Sequence, residues 1–237
     1  MSCASDSSQR FPETGFPLNL SLNDLRREIS VNQEETVYCY IVATIKNNEG
    51  CFIQTGSAPN FQGDVISLCT CKHFMRSFRT VDSWPGTWIA GFTGRRAGKE
   101  KNALIYLMKV NNAFESHCDL WFSKELSMST KEAKLSHKNK YGDIFQPKSK
   151  LIDKRCEFDF EHYVQPVPGH VHKDCWHKDI KYLKGIGGRK PPLLTGDKRN
   201  SFLWNKPILF HSHLLSRGQK KDDIHTLLDL LQDKDKL

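Results

Sequence analysis

At 237 residues, 38 % hydrophobic and 26 % charged, the chain is long enough for one large domain, or for a core of roughly 150 residues with extensions. Five Trp and fourteen Phe exclude a disordered polymer, whose segments are poor in aromatic residues. The formal charge of +8 points to polyanionic partners (DNA, RNA or a free nucleotide), and no apolar run reaches the roughly 20 residues of a membrane helix.

The basic charge is uneven. Nine Lys and Arg stand against four acids from Lys124 to Arg155, and fourteen against eight from Val171 onward. Eight Cys are spaced irregularly, and the first residues lack the apolar core of a signal peptide. An intracellular location, cytoplasmic or nuclear, is expected, with free thiols or a metal in place of disulfides.

Residues 1–17, Ser-rich and broken by Pro12 and Pro17, read as a flexible tail ahead of a single domain spanning 18–237. Ser21 to Ile29 predicts a helix capped by Ser21, with Asp24 reaching back to the cap and Leu22, Leu25 and Ile29 on one face. Val37 to Ile45, β-branched and aromatic, predicts a central strand. Asn47 to Gly50 is a turn. The stretch from Ser57 to Arg96 follows, dense in residues that need special backbone geometry: Gly56, Pro59 and Gly63 punctuate its opening. Cys71 to Val81 reads as a helix with Phe74, Met75 and Phe78 on one side and Lys72, Arg76 and Arg79 on others. Trp84-Pro85-Gly86 predicts a type II turn, and Thr87 to Phe92 a strand that pairs with Ala103 to Val110 across a basic loop.

Phe114 to Phe122 reads as helix or loop, and Ser123 to Lys140 as a long exposed basic connection. Tyr141 to Pro147 is a compact turn and strand signal. His170 to Gly188 is polar and His-rich, and Gly185 to Pro192 is a loop. Pro207 to His211 predicts a strand, and Asp223 to Leu231 a helix with Ile224, Leu227, Leu228 and Leu231 facing inward. Short strands among irregular loops, with helices at both ends, favour an α+β domain built on a small mixed barrel or sheet over a doubly wound fold.

Three chemistries can be drawn from these residues. Cys69, Cys71 and His73, with His170, His172, Cys175 and His177, offer enough ligands for zinc, but not at the spacing of a finger; buried thiols packing as small apolar groups are the preferred account, and no cofactor is expected. Cys69 or Cys71 beside Lys72 and Arg76, with His73 as a base, could be an activated nucleophile, but an inert thiol is the preferred account. Lys72, Arg76, Arg79, Arg95 and Arg96 suit phosphates, and Phe61, Trp84 and Trp88 offer flat faces for a base, while Asn60, Asp64 and Asp143 suit a base edge. Trp84 and Trp88 read equally as core residues. Asp64 and Asp143 read equally as turn residues bonding to backbone. The Gly185–Lys190 loop lacks the order of a P-loop.

The run SAPN, then CTCKHFMRSFRTVDSWPGTWIAG, then ALIYLMKV and YGDIF resembles the nucleotide modification associated domain 2 family. Members have a Gly-Phe-Ala-Pro-Asn-like opening, a Cys-Lys-Pro-x-Ile-Arg segment, Gly-Asp-Trp-Ile-x-Gly, a strand ending in Lys/Arg-Val and a later Gly-Asp-Asn-Ile-Tyr. The resemblance spans Val37 to Phe145. It carries the family pattern onto Ala58, Pro59, Asn60, Cys71, Lys72 and Arg76, and farther on onto Gly86, Trp88, Gly91, Gly142 and Asp143. His73 stands where the family has Pro, Thr87 replaces the Asp of Gly-Asp-Trp, and Ile144 follows Gly-Asp directly where Asn is usual.

What the resemblance implies is a PUA/ASCH-like barrel with flanking helices, set among systems that make, recognise or process modified bases. The leading expectation is recognition of a modified base or nucleotide by Ala58, Asn60, Lys72, Arg76 and Asp143, with Phe61 or Trp88 as the stacking wall and Arg79, Arg95 and Arg96 on phosphates. The alternative is a transferase or hydrolase acting on a nucleotide or modified base, with Lys72 and Asp143 as its catalytic groups. A protein-interaction module is the further alternative.

Overall fold

Leu22 and Leu25 recur at helical spacing, and in the computed structural model they form the buried face of a helix, Leu22–Glu28. The structure describes residues 9–10, 16–29, 35–48, 51–54, 56, 58–94, 102–135, 143–150, 157–165, 175–182, 185, 188, 190–210 and 219–232. The chain, expected to form one domain from residue 18, divides into two compact units. One consists principally of Gly56–Pro85 and Asn111–Gly196, the other of Asp6–Thr55, Gly86–Val110 and Asp197–Leu237.

The second unit carries the sheet. Ser21 caps the first helix, its hydroxyl accepting from the Asp24 amide at 3.1 Å, as the sequence predicts. Gln9–Arg10, inside the stretch read as a tail, pair with Gln54 and Ile53. The apolar run after residue 35 becomes the strand Thr36–Ile41, parallel to Trp88–Phe92, with Val37 opposite Trp88 and Ile41 opposite Phe92. A parallel pair cannot be closed by a tight turn. The connection is residues 42–87, and it includes the whole Gly56–Pro85 segment of the other unit.

Trp88–Phe92 pairs antiparallel with Ala103–Phe114, as expected, and the turn before it has Gly86 at φ +84, the left-handed value that a type II turn demands. The sheet runs in the order Leu231–Gln232, Leu193–Phe210, Ala103–Phe114, Trp88–Phe92, Thr36–Ile41, Gln219–Asp223. Among the described residues the two end strands do not pair, so this is an open mixed sheet with helices and the expected closed barrel is corrected. The reason is local. One end strand is two residues long, and the other, Gln-Lys-Lys-Asp-Asp, carries charges that discourage further pairing.

Between the sheet and the helices Leu22–Glu28 and Ile224–Leu230 lies one core, including Val37, Trp88, Phe92, Leu107, Trp204 and Leu227. Ile224, Leu227, Leu228 and Leu231 face inward, as predicted. Outside that cluster, Gly91 is required by its cross-strand neighbour: a Cβ would lie 2.2 Å from the Tyr106 ring. That ring's hydroxyl is bonded to Tyr40 at 2.7 Å.

The first unit has a smaller core of Val65, Cys69, Leu120, Trp121, Leu126, Ile144 and Leu193, and a satellite of Phe145, Tyr163 and Ile180. Ser67 and Leu68 pair with Thr195 and Leu194. Phe114 to Phe122 resolves into the end of a strand and a helix, His117–Phe122. The connection expected to be exposed contains the helix Met128–Leu135, in which Thr130, Lys131 and Lys134 are buried. Its sequence hides this because lysine stems cover apolar surface: the Lys131 ammonium lies 5.3 Å from the Trp121 ring centre.

Candidate functional site

Asn60 begins the site. Its backbone exchanges two hydrogen bonds with Ser67, at 2.8 and 3.0 Å, and its side-chain oxygen accepts from the Gln62 amide at 2.9 Å. The intervening residues are thereby closed into a loop. Gly63 permits it, with φ +76 and no room for a Cβ against Thr130. Lys134, wholly buried, fills the loop from inside and donates to the carbonyls of Asn60 at 3.1 Å and Val65 at 2.6 Å. Burial pushes its pKa down to about 8, against the pull of Asp143, the Cys69 thiol and Asp64.

Asp143, also wholly buried, organises the next turn. Its carboxylate accepts from the Cys69 amide at 2.9 and 3.0 Å, from the Thr70 amide at 2.8 Å and from the Thr70 hydroxyl at 2.9 Å. These bonds engage both oxygens, so Asp143 acts here as a clamp on residues 69–70. Beyond the clamp, Lys72 takes left-handed φ 56 and ψ 39, a conformation that costs a non-glycine residue about 1 kcal/mol. The expected helix from Cys71 to Val81 shrinks to His73–Arg76 and a separate turn at Val81–Ser83.

Arg76 is a further buried charge in this unit. Its Nε donates to the Cys71 carbonyl at 2.8 Å, and its Nη1 to the carbonyls of Pro191 and Pro192 at 3.1 and 2.5 Å. Its own carbonyl accepts from Trp84 Nε1 at 2.8 Å. Its Nη2 is buried without a hydrogen-bond partner among the described residues. Burial lowers the guanidinium pKa, while Cys69, Cys71, Asp143 and Asp179 oppose that change.

Asp179, on the helix Cys175–Tyr182, completes the cluster. Burial and then repulsion from Asp143 raise its pKa to about 7, with Arg76 acting the other way. His73 Nε2 lies 3.9 Å from its Oδ1. That separation suggests an ion pair, but burial and the Arg76 charge hold His73 neutral down to about pH 3. The distance also exceeds a hydrogen bond, so we treat the contact as one between a neutral ring and a carboxyl. His117 behaves alike: its Nδ1 accepts from the Phe145 amide at 3.2 Å, its Nε2 has no partner among the described residues, and burial lowers its pKa to about 3.

The cysteines are not activated. Burial, then Asp143, pushes Cys71 up to about 12 and Cys69 well above the ordinary thiol value. Both stay protonated at neutral pH, which corrects the nucleophile reading; Cys69 packs in the core. Among the described residues no three His, Cys, Asp or Glu side chains converge in a way that could hold a metal. His177 stacks on Phe160 at 3.8 Å. His170 and His172 lie outside the described residues.

Of the residues expected to line the site, Asn60, Lys72, Arg76 and Asp143 belong to this one unit, and Lys134 links Asn60 to the Asp143 clamp through its bonds and its charge. Ala58 and Phe61 are buried in the same unit, and Arg79 is half-buried. Trp88 does not join them. It is a core residue of the other unit, 1 % exposed, with Nε1 donating to Glu35 at 2.5 Å, so its stacking role is corrected. Arg95, Arg96 and Gly142 lie outside the described residues. Sequence reasoning missed Lys134, His117 and Asp179. Lys134 sits in a charge run that reads as solvated, and Asp179 in a His-rich stretch that reads as a metal signal.

Residues 34–184 match the family model described as nucleotide modification associated domain 2. No curated protein and no solved structure matches the chain significantly. No helix among the described residues is long and apolar enough to cross a membrane.

Proposed function

The chain belongs to the nucleotide modification associated domain 2 family, and on that premise we propose that its first unit recognises a modified base or nucleotide at the buried polar cluster around Arg76. The observation that carries this reading is the set of inward donors in a cluster already rich in charge. Arg76 Nη2 and Asn60 Nδ2 are buried without partners among the described residues, and buried donors are costly unless an acceptor meets them. Carbonyl oxygens, ring nitrogens and phosphate oxygens are such acceptors, and they are the groups by which a base edge or nucleotide is distinguished. The PUA/ASCH-like kinship implied by the sequence resemblance belongs to the same reading, on a sheet that is open.

Titration calorimetry with nucleoside monophosphates bearing modified and unmodified bases tests it. Lys72, half-buried beside the cluster, is the residue to change, because Arg76 and Asp143 also hold the backbone. Lys72→Ala is expected to weaken binding about tenfold, the scale of one charge-assisted hydrogen bond, with unchanged thermal unfolding. Strand binding should weaken with salt as phosphate contacts release counterions. Absence of nucleotide binding at millimolar concentration defeats the proposal.

An enzymatic reading draws on the placement of the Asp179 carboxyl, 3.9 Å from His73 Nε2, where burial raises its pKa to about 7 and a group can both take and give a proton. In that reading Asp179 shuttles a proton on the nucleotide while Asp143 keeps the clamp. Asp179→Asn would then abolish turnover and leave binding within about twofold; equal loss of both contradicts it.

A further inference from the structure

The short helix His73–Arg76 buries Met75 and Arg76 completely, and that fixes what its other side must present. Phe74 and Phe78 are four residues apart, and both point away from the core, 67 % and 41 % exposed. Their rings pack edge to face, with centroids 4.9 Å apart at 77°. The sequence expectation puts Phe74, Met75 and Phe78 on one side of a helix; the structure parts them, with Met75 buried and the two phenylalanines exposed. The three aromatics expected to stack on a base are all unavailable, since Phe61, Trp84 and Trp88 are each 1 % exposed or less.

A lone exposed aromatic needs no explanation, but two in ring contact form a contiguous apolar patch. The backbone beneath them is held firmly. The Asp143 clamp fixes residues 69–70, Arg76 binds the Cys71 carbonyl, and Ser77 Oγ donates to the Phe74 carbonyl at 2.8 Å. The local sequence carries charge of one sign. No acidic residue occurs between Asp64 and Asp82, whereas Lys72 and Arg79 bracket the aromatic pair. Arg76, the remaining strong cation of that stretch, is buried and interacts with Asp143 and Asp179.

We propose that Phe74 and Phe78, bracketed by Lys72 and Arg79, form a platform on which an unpaired base of single-stranded nucleic acid stacks. Every base offers a π face to an aromatic ring, and cations beside the ring meet the phosphates on either side of the stacked base. A rigid aromatic pair loses little conformational freedom on binding. The proposal rests on the nucleotide reading above and extends it to the strand that carries the nucleotide: the platform holds a neighbouring base while the buried cluster reads the modified one.

Fluorescence anisotropy with a labelled single strand of about 12 nucleotides, as DNA and as RNA, tests it on the full chain. Phe74→Ala with Phe78→Ala is expected to weaken strand binding at least about tenfold, the scale of one lost base–aromatic stack. Phe74→Trp is expected to retain binding, with its indole fluorescence quenched by the strand. The corresponding duplex should bind more weakly than the single strand. An unchanged affinity in the double alanine variant overturns the platform, as does a wild-type protein that binds no single strand. So does a sedimentation shift showing that the two rings are covered by a second copy of the chain. Titration of free nucleotide into the double variant separates the two proposals. Retained nucleotide binding with lost strand binding supports both, and lost nucleotide binding in the wild type removes the nucleotide reading by itself.

Discussion

Removing the Asp143 carboxylate should unfasten the first unit. In Asp143→Ala the amides of Cys69 and Thr70 and the hydroxyl of Thr70 lose their acceptor at a site with no solvent exposure. Hydrogen bonds to a charged acceptor contribute about 1.5–3 kcal/mol each, but they share one group and are not additive, so about 4 kcal/mol is expected, the middle of the range for breaking a buried charge pair. Arg76 and Lys134 simultaneously lose a neighbouring countercharge. Asp143→Asn should cost less, about 2 kcal/mol, because one oxygen can still serve Thr70 while the amide nitrogen faces the Cys69 N–H. Native-state hydrogen exchange is the appropriate assay, since it reads the Cys69 and Thr70 amides individually and does not require the two units to unfold together. Protection of those amides in Asp143→Ala within about 0.5 kcal/mol of wild type would refute the clamp.

Two further predictions concern stability. Gly91→Ala places a methyl 2.2 Å from the Tyr106 ring and should destabilise the sheet unit by about 2–3 kcal/mol through overpacking; a melting temperature equal to wild type would mean that the ring moves freely. His117 is held neutral down to about 3 against an ordinary 6.5. The folded value is the lower one, so the unfolded chain takes up the proton first, and the contribution present above 6.5 is lost as pH falls towards 3. Replacing it in His117→Gln should flatten the acid limb of stability against pH by about one proton, about 1.4 kcal/mol per pH unit. Asp179, raised to about 7, works oppositely: its contribution is full below 3.8 and fades as pH rises through 7. The His117 effect is therefore to be read as a difference in slope between variant and wild type, and equal slopes would refute it.

How far the chain could be read without its fold depended on whether a residue's role was local. Ser21 and Asp24 cap a helix because the capping groups are three residues apart, and the Pro85-Gly86 turn follows from the backbone preferences of those two residues. The inward face of Ile224, Leu227, Leu228 and Leu231 follows from helical spacing. The family motifs likewise single out Asn60, Lys72, Arg76 and Asp143, which fall in one unit. Trp88 was the motif residue whose expected role failed, because a tryptophan that stacks on a ligand and one that fills a core have the same composition and spacing. The partners of these residues were not legible. Asp143 lies 74 residues from Cys69, and Arg76 is 115 and 116 residues from the proline carbonyls it binds.

The sequence by itself determined the family, the capped first helix and the last helix, and the paired strands at Trp88 and Ala103. Only the tertiary structure decided that the sheet stays open, that Lys134 is buried and that Phe74 and Phe78 are not. The physical reason is that burial is a property of what surrounds a side chain. Periodicity reports which residues share a face, but a four-residue helix has too short a period to say which face turns inward. A lysine whose ammonium meets two backbone carbonyls is written in the chain just as one that meets water.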